Sequence, residues 1–157
     1  MISSFPTSPL LNMAGQASFE FSPNYNILQL PTVIRRTVTL PIQFKPGTNF
    51  MTGVSSLGQL NFEEDSITSE GGTYYPWVIS GFYPGDGDEV VDLFQDMEKV
   101  LHIVATKDFT NKIRLVGLNA PLTFNAKFQS GLVPGEARGH AFSFTGAGLE
   151  RAPYYQV

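Results

Sequence analysis

Residues 101–118 read LHIVATKDFTNKIRLVGL, and the fold class turns on them. Apolar and β-branched residues flank KDFTNK, whose Asp, Thr and Asn suit a tight connection, so the stretch predicts strand, turn, strand. Just before it, Val90, Leu93, Phe94, Met97, Val100 and Leu101 recur at the three- and four-residue spacing of one helix face. Asp86, Asp88 and Glu89 stand at its entry, where acids interact favourably with free N–H groups and the positive end of the helix dipole. The pattern predicts one helix near 88–100, packed on a sheet.

Outward from this centre the period stays near two. Leu122, Phe124, Ala126 and Phe128 form one alternating face, and Phe142 and Phe144 alternate with Ser143 and Thr145. Residues 74–83, YYPWVISGFY, form a β-branched and aromatic run between Gly71-Gly72 and Pro84-Gly85, and read as a strand. Residues 34–45 alternate as well. Ile34, Val38, Leu40, Ile42 and Phe44 share a face with Arg36, which predicts a half-buried strand, and Pro41 places part of it at a sheet edge or beside a bulge. The closing APYYQV is a short segment that would pair at an edge. Residues 49–62 read as a long loop or a hairpin.

Residues 1–26 carry Pro6, Pro9, Pro23 and one charge, Glu20, with no sustained period, and are expected to form an extended N-terminal arm on a single β-rich domain spanning 27–157. The arm's Phe5, Leu10, Leu11, Met13, Phe19 and Phe21 are too many apolar side chains for a solvated tail. They pack either along the arm's own domain or on a neighbouring subunit, which makes Phe5, Leu10, Leu11, Phe19 and Phe21 candidate subunit contacts. The expected fold is mainly β with one α-helix, a β-sandwich or split barrel.

Composition supports short strands. Charged residues make up 15% of the 157, against about 25% in ordinary domains. With 13 Phe, 6 Tyr, 15 Gly and 11 Pro, the chain is aromatic and heavily punctuated by turns. The net charge of -4 argues against a surface that grips nucleic acid throughout. It conceals a division: ten of the fourteen acids and none of the ten bases lie between Glu63 and Glu98. Glu63, Glu64, Asp65 and Glu70 open that acidic block.

The chemistry of known catalytic motifs is not legible. Without cysteine there are no disulfides, thiol nucleophiles or thiolate metal sites. His102 and His140, the only imidazoles, fall in apolar strand-like contexts and read as structural, with no nucleophile elbow or metal-ligand spacing beside them. Asp86, Asp88 and Asp92 lack the spacing of a calcium loop. Hydrolysis by paired carboxylates such as Glu63 and Glu64 is the one enzymatic route the composition offers, and nothing selects a pair. Neither a dinucleotide fingerprint nor a phosphate loop occurs, so no cofactor is expected. Tyr74, Tyr75, Trp77 and Tyr83 read as core or contact aromatics, with a glycan-stacking platform as the alternative. No apolar run is long enough to span a bilayer, and MISSFPTSPLLNMAGQ lacks the basic and apolar regions of a signal peptide, so synthesis in the cytoplasm and no membrane partner are expected.

Over residues 90–157 the order of helix, HIVATKDFTNKIRLVG, NAPLTFNAKFQSG, Gly-rich loop, GHAFSFTGAG and APYY resembles the C-terminal region of small virion structural proteins of tailed phages, particularly those of Bacteroidetes hosts. The size, single helix and β-sandwich reading are similar to tail tube proteins and the related baseplate rings. The resemblance implies a helix beside a β-sandwich, sheets joined around a channel, and arms or loops binding the adjoining subunit, and it makes Glu63, Glu64, Asp65 and Glu70 a candidate acidic segment facing the channel or an adjoining ring. The implied function is a non-enzymatic tail subunit in the virion, with copies of itself and other tail proteins as partners and DNA passing nearby. The alternative is a β-sandwich module of a virion that binds glycans or host surfaces.

Overall fold

The computed structural model describes residues 1–5, 18–136 and 138–157. In chain order its strands are β1 (Ser18–Pro23), β2 (Ile27–Gln29), β3 (Thr37–Val38), β4 (Gln43–Phe44), β5 (Met51–Thr52), β6 (Asn61–Glu64), β7 (Ile67–Ser69) and β8 (Gly72–Pro84). The helix α1 (Asp88–Met97) follows, then β9 (Leu101–Lys107), β10 (Ile113–Val116), β11 (Leu122–Gln129), β12 (Gly139–Gly148) and β13 (Tyr154–Tyr155). The expectation of a mainly β fold with one helix holds among these residues.

The LHIVATK strand, β9, organises the rest. Val104 is paired with Phe21 of β1 and with Val116 of β10, so β1 lies on one side of β9 and β10 on the other. His102 is likewise paired with Pro23 and with Leu122, which puts β11 on the same side as β10, further along. From this junction one run continues β10–β13–β3 and the other β11–β12–β8–β6, with β5 beside β1 and β7 beside β8. A separate two-stranded sheet joins β2 and β4.

Period-two alternation then buries both faces of β9, which explains its unbroken apolar run. Val104 belongs to an aromatic core with Phe19, Phe21, Phe124, Phe142 and Phe144, against which α1 lays Val90, Leu93, Phe94 and Met97. Ile103 and Ala105 face a second, aliphatic core with Val38, Ile42, Leu115 and Leu118. The predicted turn is held by Asp108, whose Oδ1 accepts from the Thr110 and Lys112 amides at 2.8 and 3.0 Å and from the Thr110 hydroxyl at 2.7 Å. Asn111 takes the left-handed conformation there (φ 66°), which its residue type tolerates.

Three expectations are corrected. Residues 18–26 are not an arm: β1 is an interior strand, paired with β9 along its length and with β5 on its other side. Phe5, Phe19 and Phe21, taken as candidate subunit contacts, are 3%, 1% and 0% exposed in the chain's own core, while Leu10 and Leu11 lie outside the described residues. The SFEFS alternation drives its phenylalanines into that core. The strand expected over 34–45 is broken into β3 and β4, because Arg35 and Arg36 both adopt positive φ and reverse the chain. Val38 and Ile42 are buried as expected, but Ile34 and Leu40 are exposed. The helix ends at Met97, short of the expected 100, where the Met97 carbonyl lies 2.9 Å from the His102 ring and Leu101 already opens β9.

Candidate functional site

Glu64, at the end of β6, carries a carboxylate that is only 8% exposed. One oxygen accepts from the Trp77 indole N–H at 2.9 Å and from the Ala152 amide at 2.7 Å; the other accepts from the Arg151 guanidinium at 2.9 Å. Every donor a buried carboxylate requires is thus supplied within the chain. Strand pairing fixes the first of these contacts, since Glu64 lies opposite Trp77 in the β6–β8 ladder. Gly148 on β12 fits against the Trp77 ring, and a Cβ there would overlap it.

The segment leading into β13 is clasped by the same network. Its Ala152 amide is held by Glu64, and its Ala152 carbonyl accepts from Arg114 of β10 at 3.3 Å. Arg114 also donates to the Tyr154 hydroxyl at 2.9 Å and lies 4.5 Å over the Tyr154 ring. Arg151 stacks 4.9 Å over Tyr75. Arg151 therefore stands where three concavities meet. One of about 510 Å³ runs toward Lys107, Lys112 and Arg114. A second of about 540 Å³ is bounded by Tyr74, Trp77, Leu118 and Leu149. The third, about 390 Å³, is lined by Arg35, Arg36, Tyr75 and Glu150.

The structure separates residues that the sequence grouped. Of the acidic segment, Glu63, Asp65 and Glu70 face solvent, Glu63 accepting from the Asn61 amide and Asp65 from the Ser66 N–H. Glu64 does not share that surface, because its carboxylate is consumed by Trp77, Arg151 and Ala152. Of the aromatic set, Trp77 is 5% exposed and Tyr83 is 7% exposed, so neither offers a free ring face; Tyr75 is covered by Arg151, and Tyr74 alone stays open at 39%. The stacking platform of Tyr74, Tyr75 and Trp77 is not assembled. Arg35, Arg36, Arg114 and Arg151 were missed as site residues, because no local motif marks arginines brought together from distant segments.

Both histidines sit among rings. His102 is fully buried against Phe21, Phe124 and Phe144, and burial lowers its pKa despite the hydrogen bond with the Met97 carbonyl. His140 packs on Phe94 and Phe128, with Asp86 3.8 Å from its Nε2. Among the described residues no three His, Asp or Glu side chains are grouped to hold a metal ion, and no helix is long and apolar enough to cross a membrane. Compared with models of known protein families, with curated proteins and with solved structures, the chain matches none.

Proposed function

We propose that this chain is a non-enzymatic structural subunit of a phage tail, in the tube or near the baseplate, where copies join into rings or stacked rings that conduct DNA. The observation that carries the reading is the segment that runs from β2 to β4. It leaves Leu28, Ile34 and Leu40 64–65% exposed and Leu30 38% exposed, although two cores lie within reach of the same chain. Exposed aliphatic side chains gathered in one short segment mark a surface that another protein covers. The helix packed on β layers agrees with the architecture that the phage-tail resemblance implies. Glu63, Asp65 and Glu70 give the molecule a solvent-facing acidic edge, which would repel DNA phosphates if it lined a channel.

Purified protein imaged by negative stain, and virions analysed by mass spectrometry, test the reading together. The expected outcome is rings or tubes in the first and this chain among the virion proteins in the second. Its absence from purified virions would overturn the assignment to a tail.

A further inference from the structure

We propose that the Arg35–Arg36 turn forms a notch that receives the acidic β6–β8 edge of a second copy of this chain, the contact by which one subunit docks on the next. The inference rests on the reading of the chain as a self-assembling subunit and names the surfaces that meet.

The turn is unusual in its residues. Ile34 and Thr37 exchange both backbone hydrogen bonds, at 2.9 and 3.0 Å, closing a two-residue reversal in which Arg35 and Arg36 have φ of 50° and 64°. Asn-Gly is the favoured pair for positive φ at both central positions, whereas two long L side chains are disfavoured. Strained backbone of this kind gathers where function requires it. Here it holds two guanidinium groups at the tip of a turn, with no hydrogen-bond or ion-pair partner among the described residues.

Both arginines line the 390 Å³ concavity with Tyr75, Leu149 and Glu150. Arg151 shares that wall, but its charge is engaged by Glu64. The notch is therefore cationic at its tip and apolar at its side, where Leu149 is 84% exposed. The chemistry that complements it is an acidic peptide segment with an apolar side chain. The β6–β8 edge has this character: Glu63, Asp65 and Glu70 face solvent without a cationic partner among the described residues, and Ile67 and Tyr74 are each 39% exposed. A nucleic acid is the weaker match, because its phosphate backbone brings no apolar side chain to cover Leu149, whereas the β6–β8 edge brings Ile67 and Tyr74 beside its acids.

The deciding variant is Arg35→Asn with Arg36→Gly, which removes both charges while supplying the residues that the turn prefers. Thermal unfolding should show a midpoint equal to or above the parent's. Sedimentation velocity of the full chain should show self-association weakened about tenfold or more, since two charges are lost from one contact. A second arm uses charge exchange: Arg35→Glu/Arg36→Glu and Glu63→Lys/Asp65→Lys/Glu70→Lys should each associate poorly alone and recover when mixed. Parent-like association of the Asn-Gly variant would overturn the notch while leaving the tail-subunit reading in place. A parent chain that stays monomeric would overturn both. Loss of binding to a DNA duplex in the Asn-Gly variant, with self-association unchanged, would overturn the choice of occupant.

Discussion

At the residue scale, Glu64 and His102 show how folding reassigns groups that look chemically available in sequence. Glu64 is one of three consecutive acids in the chain, and only the β6–β8 register turns it inward onto the Trp77 indole. Glu64→Ala would leave that N–H, the Ala152 amide and the Arg151 charge without their acceptor, at a cost of about 3–5 kcal/mol. Trp77 is the single tryptophan, so its emission should shift to the red in this variant while urea unfolding reads the loss. Glu63→Ala should change neither. His102 makes a prediction of opposite character. The hydrogen bond with Met97 places its proton on Nε2, leaving Nδ1 unpaired among rings, and burial disfavours the cation. The unfolded chain takes up a proton as pH falls through about 6.5, the ordinary histidine value, while the folded chain resists. Its share of stability is therefore complete above about pH 6.5 and is lost as pH falls toward the lowered folded value. In urea titrations at about pH 7.5 and about pH 5.5, the stability difference should be smaller in His102→Phe than in the parent.

Among the elements, helix and central hairpin were legible because their signals are local and redundant. The α1 face repeats its apolar residues over three turns, and Phe94 lies within 5.1–6.3 Å, ring to ring, of Phe5, Tyr83, Phe124, His140 and Phe142. Met97→Asp would place a carboxylate at a position with no exposure, costing about 3–5 kcal/mol in chemical unfolding. Unchanged stability would contradict the orientation of the helix. The break at 35–36 was not legible. Its turn carries neither Gly nor Asn, so alternation across Ile34, Val38 and Leu40 looked continuous, whereas the reversal throws Ile34 and Leu40 outward. The clasp of Ala152 between Glu64 and Arg114 was equally hidden, since it joins residues 88 and 38 positions apart.

For the molecule as a whole, folding partly mixes the charges that the sequence keeps apart. Asp86 pairs with Arg138, Asp96 with Lys99 and Glu64 with Arg151, each acid from the block meeting a base from outside it. Among the described residues Glu63, Asp65 and Glu70 on one edge and Arg35 and Arg36 on a turn have no ion-pair partner, and these are the charges on which the proposed docking contact draws. The N-terminal residues follow the same logic in reverse. Phe5 bridges the layers, its ring 5.1–5.9 Å from those of Phe19, Phe21, Tyr83, Phe94 and Phe142, and its amide donates to the Thr52 carbonyl at 2.9 Å. A side chain placed there holds the monomer together, whereas one reserved for a neighbour would leave the monomer indifferent to its loss. Phe5→Ala should therefore cost about 3–5 kcal/mol and lower the melting temperature of the dilute, unassembled chain by on the order of 10 °C. Calorimetry at a concentration where sedimentation finds only monomer separates the two roles. A parent-like melting temperature combined with weakened assembly would return Phe5 to the subunit interface.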